Sequence, residues 1–311
     1  MRNTFRLTAA AVLAALTVVA CHEGGTAPLS SQAQVLAAEQ EQLGAMVDSD
    51  FGAIGATATS SPAPGGAATV LSLDASATQV DTAPTFWGRL RVVPGGPLPI
   101  YHRDVTIQGD TAKVEHDITF DGVFLVDTSA DGVFNPTAKP LADRMTQHAV
   151  LVRDPAMPHS WRVVELSPQD WTVVDPSRQT VAVTDVKVYR NDTLLVEITD
   201  PSALVDVVSR IPRFHVGDTV KVVAAVNNTT NSGFTPTTFV FLHVRHVTPT
   251  GTSWHRLEMA DNGNGTWQRS WITGSTGRDR FVVDALDAAT LLLGTADNYR
   301  ANEVGIPYRI E

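Results

Sequence analysis

The sequence predicts a mainly β protein with a minor α component: an N-terminal α+β domain, one long helix plus an antiparallel sheet, followed by an antiparallel β-sandwich. Three observations predict it. Apolar residues recur at three- and four-residue steps over about residues 31–52, and from residue 104 onward the apolar period is two. From residue 219 to the end, short alternating runs are spaced regularly by Gly, Asn, Asp and Pro. A chain of 311 residues suggests two domains at about 100–200 residues each, and the boundary falls between 31–180 and 181–311.

Hydrophobic residues make up 43% of the chain and charged residues 18%, enough apolar side chain for packed cores. Acids outnumber bases 33 to 23, a formal charge of −10, which becomes −12 if Arg2 and Arg6 leave with a leader peptide. Such a surface repels phosphate backbones, so nucleic acid is not an expected partner. Anionic headgroups are disfavoured for the same reason, and membrane attachment has to come from acyl chains.

Residues 1–20 have the parts of a secretory signal: Arg2 and Arg6, an apolar run from Leu7 to Ala20, and a small residue before the single cysteine, Cys21. The run is too short to span a bilayer permanently. Val18-Val19-Ala20-Cys21 resembles the lipobox of bacterial lipoproteins. That resemblance implies cleavage before Cys21, lipidation of its sulfur, and acylation of the new amino terminus; several acyl chains hold a protein firmly to a membrane. With this thiol consumed, the mature chain forms no disulfide and stability must come from burial. An aspartate after the cysteine marks inner-membrane retention among Gram-negative lipoproteins; His22 stands there instead, which implies the outer membrane. Residues 21–30, small and polar with two glycines and a proline, read as the acylated cysteine and a flexible tether.

Order is expected from Ser30 or Ser31, either of which can cap the helix over 31–52. Leu36, Leu43, Met46, Val47, Phe51 and Ile54 give its apolar stripe, with Glu39, Gln40, Glu41 and Asp48 opposite. Residues 57–68 are a low-complexity loop broken by Pro62, Pro64, Gly65 and Gly66. Strands follow at 104–107 and 112–126 around Gln108-Gly109-Asp110, then at 147–153 and 161–166, then at 179–189 and 193–199 around Asn191-Asp192. Residues 200–212 read as a short helical connection closed by Pro212. Strands over 219–227, 237–247, 252–260, 266–273, 280–286 and 303–310 complete the chain.

The last group resembles bacterial immunoglobulin-like or fibronectin-like modules, carried by Gly217-Asp218-Thr219-Val220 opening a strand and Asp261 to Thr266 turning a hairpin. The opening helix, the Phe86-Trp87 segment and the hairpin ending in Trp161-Arg162-Val163-Val164 resemble the cone fold named after nuclear transport factor two. That fold implies a curved sheet wrapping a helix around a pocket.

Asp127, Ser129 and Asp131, before Gly132, begin like a calcium loop of alternating oxygen ligands. Ala138 stands where the closing carboxylate belongs, and an ordinary polar turn explains the same residues. His243, His246 and His255 are dense in sequence, but residues three apart on a strand face opposite ways, so no metal site is expected. His102, Asp104, His116 and Asp117 are the acid-base candidates, on adjacent strands. The cone resemblance would place Trp87, Tyr101, Arg144 and His148 with them at a pocket mouth. Trp267 and Trp271, four apart on one strand face, offer a sugar or peptide platform or, alternatively, inter-sheet core. There is no Gly-x-Ser-x-Gly elbow, His-Glu-x-x-His pair or phosphate-cradling loop. The expectation is a noncatalytic envelope lipoprotein whose β domains serve binding, adhesion or assembly with an envelope protein or glycan. The alternative is a small-ligand pocket protein or enzyme built on the first domain.

Overall fold

Side-chain alternation with period two dominates a computed structural model of the chain, which describes residues 30–47, 86–91, 93, 95–129, 131, 133–155, 160–230, 232–248, 251–294 and 299–311. Cys21, the leader, the tether and the 57–68 loop lie outside these residues. The described chain is mainly β, with antiparallel sheets and two helices.

Helix α1 (Ser31–Val47) opens as the capping pattern requires, with the Ala33 N–H donating to Ser30 Oγ at 3.2 Å. Residues 48–52 of the expected helix are outside the described set. The strands are β1 (Phe86–Leu90), β2 (Ile100–Gln108), β3 (Thr111–Asp127), β4 (Thr137–Arg153), β5 (Trp161–Leu166) and β6 (Gln169–Val173). Then come β7 (Val181–Arg190), β8 (Thr193–Ile198), β9 (Val205–Asp206), β10 (Arg213–Phe214), β11 (Thr219–Asn228) and β12 (Thr238–Thr248). Strands β13 (Gly251–Glu258), β14 (Ala260–Asp261), β15 (Thr266–Ile272), β16 (Gly277–Asp287), helix α2 (Ala288–Leu292) and β17 (Ala301–Ile310) follow. The connection over 200–212 is not helical: it is a series of turns holding β9, which pairs with β5. Asp200 and Asp206 each accept hydrogen bonds from the N–H and hydroxyl of nearby serines, local bonds that compete with a helix.

Among the described residues the strands make a 12-stranded and a five-stranded sheet. The large sheet runs β1-β3-β4-β6-β17-β16-β12-β13, with β2 on β3, β5 on β4, and β10 in a short parallel pair with β17. Strand β6 pairs with β17 through Trp171 opposite Glu303, so this sheet crosses the 180/181 boundary read from the sequence. Strands β14-β15-β11-β7-β8 form the second sheet. Its Val186, Val188, Val220, Val222 and Ala224 pack on Val240, Leu242, Phe281, Val283 and Val304 of the first, giving a sandwich-like core. The β7–β8 turn takes positive φ at both Asn191 and Asp192, 48° and 66°, the geometry that suits the twist of a two-residue hairpin.

The opposite face of the large sheet is concave. Its two ends approach: Trp87 of β1 lies 4.9 Å, ring to ring, from Phe241 of β12, and Arg256 of β13 donates to the Trp87 carbonyl at 3.1 Å. Inside the curl sit Trp87, Phe124, Leu141, Phe239, Phe241, Leu286 and Tyr299. Helix α1 covers another part of the same face, with Val35 packed on Val114, Ala149, Leu151 and Trp161. Glu39, expected on the solvent side of the helix, is buried there beside Val35, one helical turn away.

Gly122 positions the concave interior. A Cβ at this residue would sit 2.2 Å from the Leu90 carbonyl oxygen, so only glycine lets the chain leaving β1 cross β3 and carry Arg91 inward. Gly122→Ala should therefore lower stability by about 1–3 kcal/mol through forced backbone displacement, measured by urea unfolding. An unchanged midpoint would show that the crossing relaxes freely.

Candidate functional site

Strand β1 places Trp87 and Arg89 on the concave face, and the chain beyond it adds Arg91; both arginines are buried. Each meets carboxylates from strands far away in sequence. Arg89 forks onto Asp284 of β16 at 2.6 and 2.8 Å and lies 3.1 Å from Glu303 of β17. Its Nε donates to the Tyr299 oxygen at 2.8 Å, and the Tyr299 hydroxyl donates to Asp143 of β4 at 3.1 Å. Arg91 closes the ring, binding Asp143 through Nε at 3.0 Å and Glu303 through Nη2. Its guanidinium is 4.1 Å from the centre of the Trp171 ring. His243 joins at the edge, Nε2 to Asp284 at 3.0 Å.

Burial alone would push the Asp284 carboxyl up, but the Arg89 charge and the bonds from His243 and Arg89 outweigh it and hold the group below the usual carboxylate range. Burial raises Asp143, with Arg91 and Arg89 opposing without overcoming it. Burial also raises the Tyr299 hydroxyl, so it stays a donor at neutral pH. For Arg89, burial lowers the pKa, yet Asp284 and Glu303 raise it further, so the ion remains charged. Arg256, whose guanidinium stacks 3.8 Å from the centre of the Trp87 ring, is lowered to about 10 by desolvation. The ring is a closed electrostatic staple, with its charges opposed inside the fold.

Of the four acid-base candidates, His116 separates from His102, Asp104 and Asp117, which share a face. On adjacent antiparallel strands, opposite residues share a face: His102 pairs with Asp117 and Asp104 with Glu115 on the convex side, while Arg103 pairs with His116 on the concave side. Asp117 is engaged by Arg144, whose Nε donates at 2.9 Å, and this bond together with the Arg144 charge lowers the carboxyl. His116 is buried between Glu39, 2.8 Å from Nε2, and the Arg103 Nε–H, which donates to Nδ1 at 3.1 Å. An arginine cannot accept, so Nδ1 must offer its lone pair and the imidazole donates from Nε2 to Glu39. This histidine anchors α1. Of the expected mouth residues, Trp87 is packed inside the curl and Tyr101 is exposed on the His116 side. Arg144 and His148 lie on the convex side.

Asp127, Ser129 and Asp131 do converge, together with Asn135, which sequence reasoning did not single out. Ser129 Oγ is 2.7 Å from Asp127, 3.1 Å from Asp131 and 3.0 Å from Asn135 oxygens, and the Asn135 N–H donates to Asp127 at 3.1 Å. Bonds from the Ser129 hydroxyl, then from backbone N–H groups, lower Asp127. The loop is tied internally by these bonds. Among the described residues no group of three or more His, Cys, Asp or Glu side chains is placed to hold a metal ion. His255 stands opposite Val244, not opposite His243 or His246.

Trp267 and Trp271 share a face of β15 but differ in burial: Trp267 lies in the sandwich core, and Trp271 packs at its margin, half-buried. Trp271 borders a cleft of about 290 Å³ at the open end of the sandwich, reached by Arg245, His255 and Arg278. A second cleft, about 460 Å³, lies between the connection leaving β1 and the β3–β4 pair, with Tyr299 at its base. Comparison with protein-family models, curated proteins and solved structures finds no match to this chain.

Two results are expected from the ionic ring. Arg89→Ala should cost roughly 3–5 kcal/mol, because buried Asp284 would lose its guanidinium fork while Glu303 would keep only Arg91; denaturant unfolding reads this directly. Because native Asp284 sits below its unfolded value of about 3.9, its contribution is full above that pH and is lost progressively as pH falls from there through the lower native value. Thermal midpoints taken between neutral pH and about pH 2 should fall less steeply for Asp284→Asn, measured against its own neutral value, than for the parent chain.

Proposed function

We propose that the chain is a noncatalytic lipoprotein of the bacterial envelope, anchored through Cys21 to the outer membrane, whose β framework presents surfaces for binding or assembly with an envelope protein or glycan. The sequence Val18-Val19-Ala20-Cys21 after a basic and apolar leader carries this reading. Two further features support it. The ring's arginines and acids are spent on one another, which makes a rigid framework, and His116 lies on the opposite face of its sheet from His102, Asp104 and Asp117. Among the described residues no helix is long and apolar enough to cross a membrane, in keeping with attachment by lipid. The finer fold assignment belongs to the same proposal: an α+β part, its curved sheet covered by α1, followed by an immunoglobulin-like sandwich over 181–311.

Expression with labelled palmitate in a Gram-negative host tests the anchor. The parent chain should carry label and sediment with outer membranes, and Cys21→Ala should lose both. Unlabelled protein retaining its leader in the cytosol would overturn the assignment.

A further inference from the structure

Strand β8 is the outer strand of the five-stranded sheet, and among the described residues its backbone pairs only with β7. Strand alternation turns about half of its N–H and C=O groups away from β7. A cleft of about 440 Å³ lies beside it, lined by the five consecutive residues 195–199. A cleft over one face of a strand would touch every second residue, so this one runs along the strand's edge. Its far wall is Ala203, Leu204 and Val205 with Arg210. That wall is fixed: Val205 and Asp206 pair with Leu166 and Glu165 of β5, the Arg210 N–H donates to the Asp206 carbonyl at 2.9 Å, and the Ser209 N–H donates to the Asp206 carboxyl at 2.6 Å. The slot is therefore built before any ligand arrives.

An occupant of this slot has to bring unpaired backbone donors and acceptors in strand register, which is what an extended peptide supplies. The walls set its side chains. Val196 and Ile198 pack on the sandwich core, and Leu204 is left 38% exposed beside the edge, so a strand added here extends the apolar inner face. Charge selects little: Glu197 is paired with Lys187 at 3.1 Å, the Asp200 carboxyl accepts from the Ser202 hydroxyl at 2.7 Å, and Arg210 stands on the opposite wall. The edge is also guarded against open-ended sheet growth. Leu195 is an extra residue between the Val188–Val196 and Tyr189–Leu194 pairs, a bulge, and Glu197 puts a charge on the outer face. With the 203–210 wall alongside, the addition stops at a single strand.

We propose that the free edge of β8 takes up one extended peptide segment of an envelope protein by strand addition, with alternate apolar side chains of that segment set against Ala203 and Leu204. The inference rests on the binding role above and names the partner's chemistry. Selection of a random heptapeptide phage library on the full chain in detergent, followed by fluorescence anisotropy with the enriched peptide, tests it. Enriched peptides should carry apolar residues at alternate positions, and their affinity should change less than about twofold between low and high salt. Backbone N-methylation at every second residue should weaken binding about tenfold in one of its two frames and little in the other, because only one frame of N–H groups faces β8. Leu204→Arg, at an exposed position, should weaken it about tenfold with an unchanged thermal midpoint. Absence of enrichment, equal affinity of the two N-methylated frames, undiminished binding by Leu204→Arg, or strongly salt-dependent binding would each overturn it. Dimerisation of the parent chain that Leu204→Arg abolishes would give the edge to a second copy and overturn it as well. Recovery of the same crosslinked envelope protein by parent and Leu204→Arg chains would leave the general binding role standing and place it elsewhere on the molecule.

Discussion

Arg89 and Arg91 enter the concave interior only two residues apart and between them reach Asp143, Asp284, Glu303 and Tyr299, groups drawn from β4, β16, β17 and the segment before it. Burying two guanidinium groups among three carboxyl groups is costly, several kcal/mol per ion, and the cost is met only where each group finds a partner at hydrogen-bond distance. Strand β1 must therefore lie against β16 and β17, although among the described residues its backbone pairs only with β3. The sheet's curl follows from that demand. Trp87, Phe124 and Tyr299 pack around Arg89, Trp171 packs on Arg91, and Arg256 closes the seam between β1 and β13.

A ring of this kind favours specificity over net stability. A hydrophobic filling of the same volume would cost no desolvation, but it would tolerate a register shift between β1 and its distant neighbours. A fork of Arg89 on Asp284 tolerates none, because a slip by one residue turns the arginine to the other face. The buried, opposed charges thus define which strands face each other. The interior ions are committed to each other, whereas Trp271 lies half-buried at the margin of the sandwich.

The same ring explains which strands escaped sequence reading. Strand β4 runs from Thr137, but its first half places Lys139 and Asp143 on the buried face, so the apolar alternation becomes visible only near residue 147. Strand β1, Phe-Trp-Gly-Arg-Leu, buries its arginine for the same reason. Strand β6 is too short to show a period. Where alternation was unbroken the reading succeeded: Trp161–Leu166 matches in both bounds, and Asn191-Asp192 turns its hairpin as expected. Of the candidate residues, the 127–131 set was legible because its spacing is local, whereas the partners of His116 are a helix residue 77 positions away and an arginine on the next strand.

By itself the sequence determined the mainly β character, the capped opening helix, the tight turns and the resemblance to a lipid-anchored leader, because each depends on residues within a few positions of one another. Only the tertiary structure decided that Glu39 is buried, that His102 and His116 point to opposite faces, that Trp267 is core while Trp271 borders a cleft, and that one sheet spans both halves of the chain. Each of those outcomes depends on which distant strand supplies a charge or a packing surface. Periodicity reports that a face is buried; the partner that buries it is set by long-range electrostatics and shape.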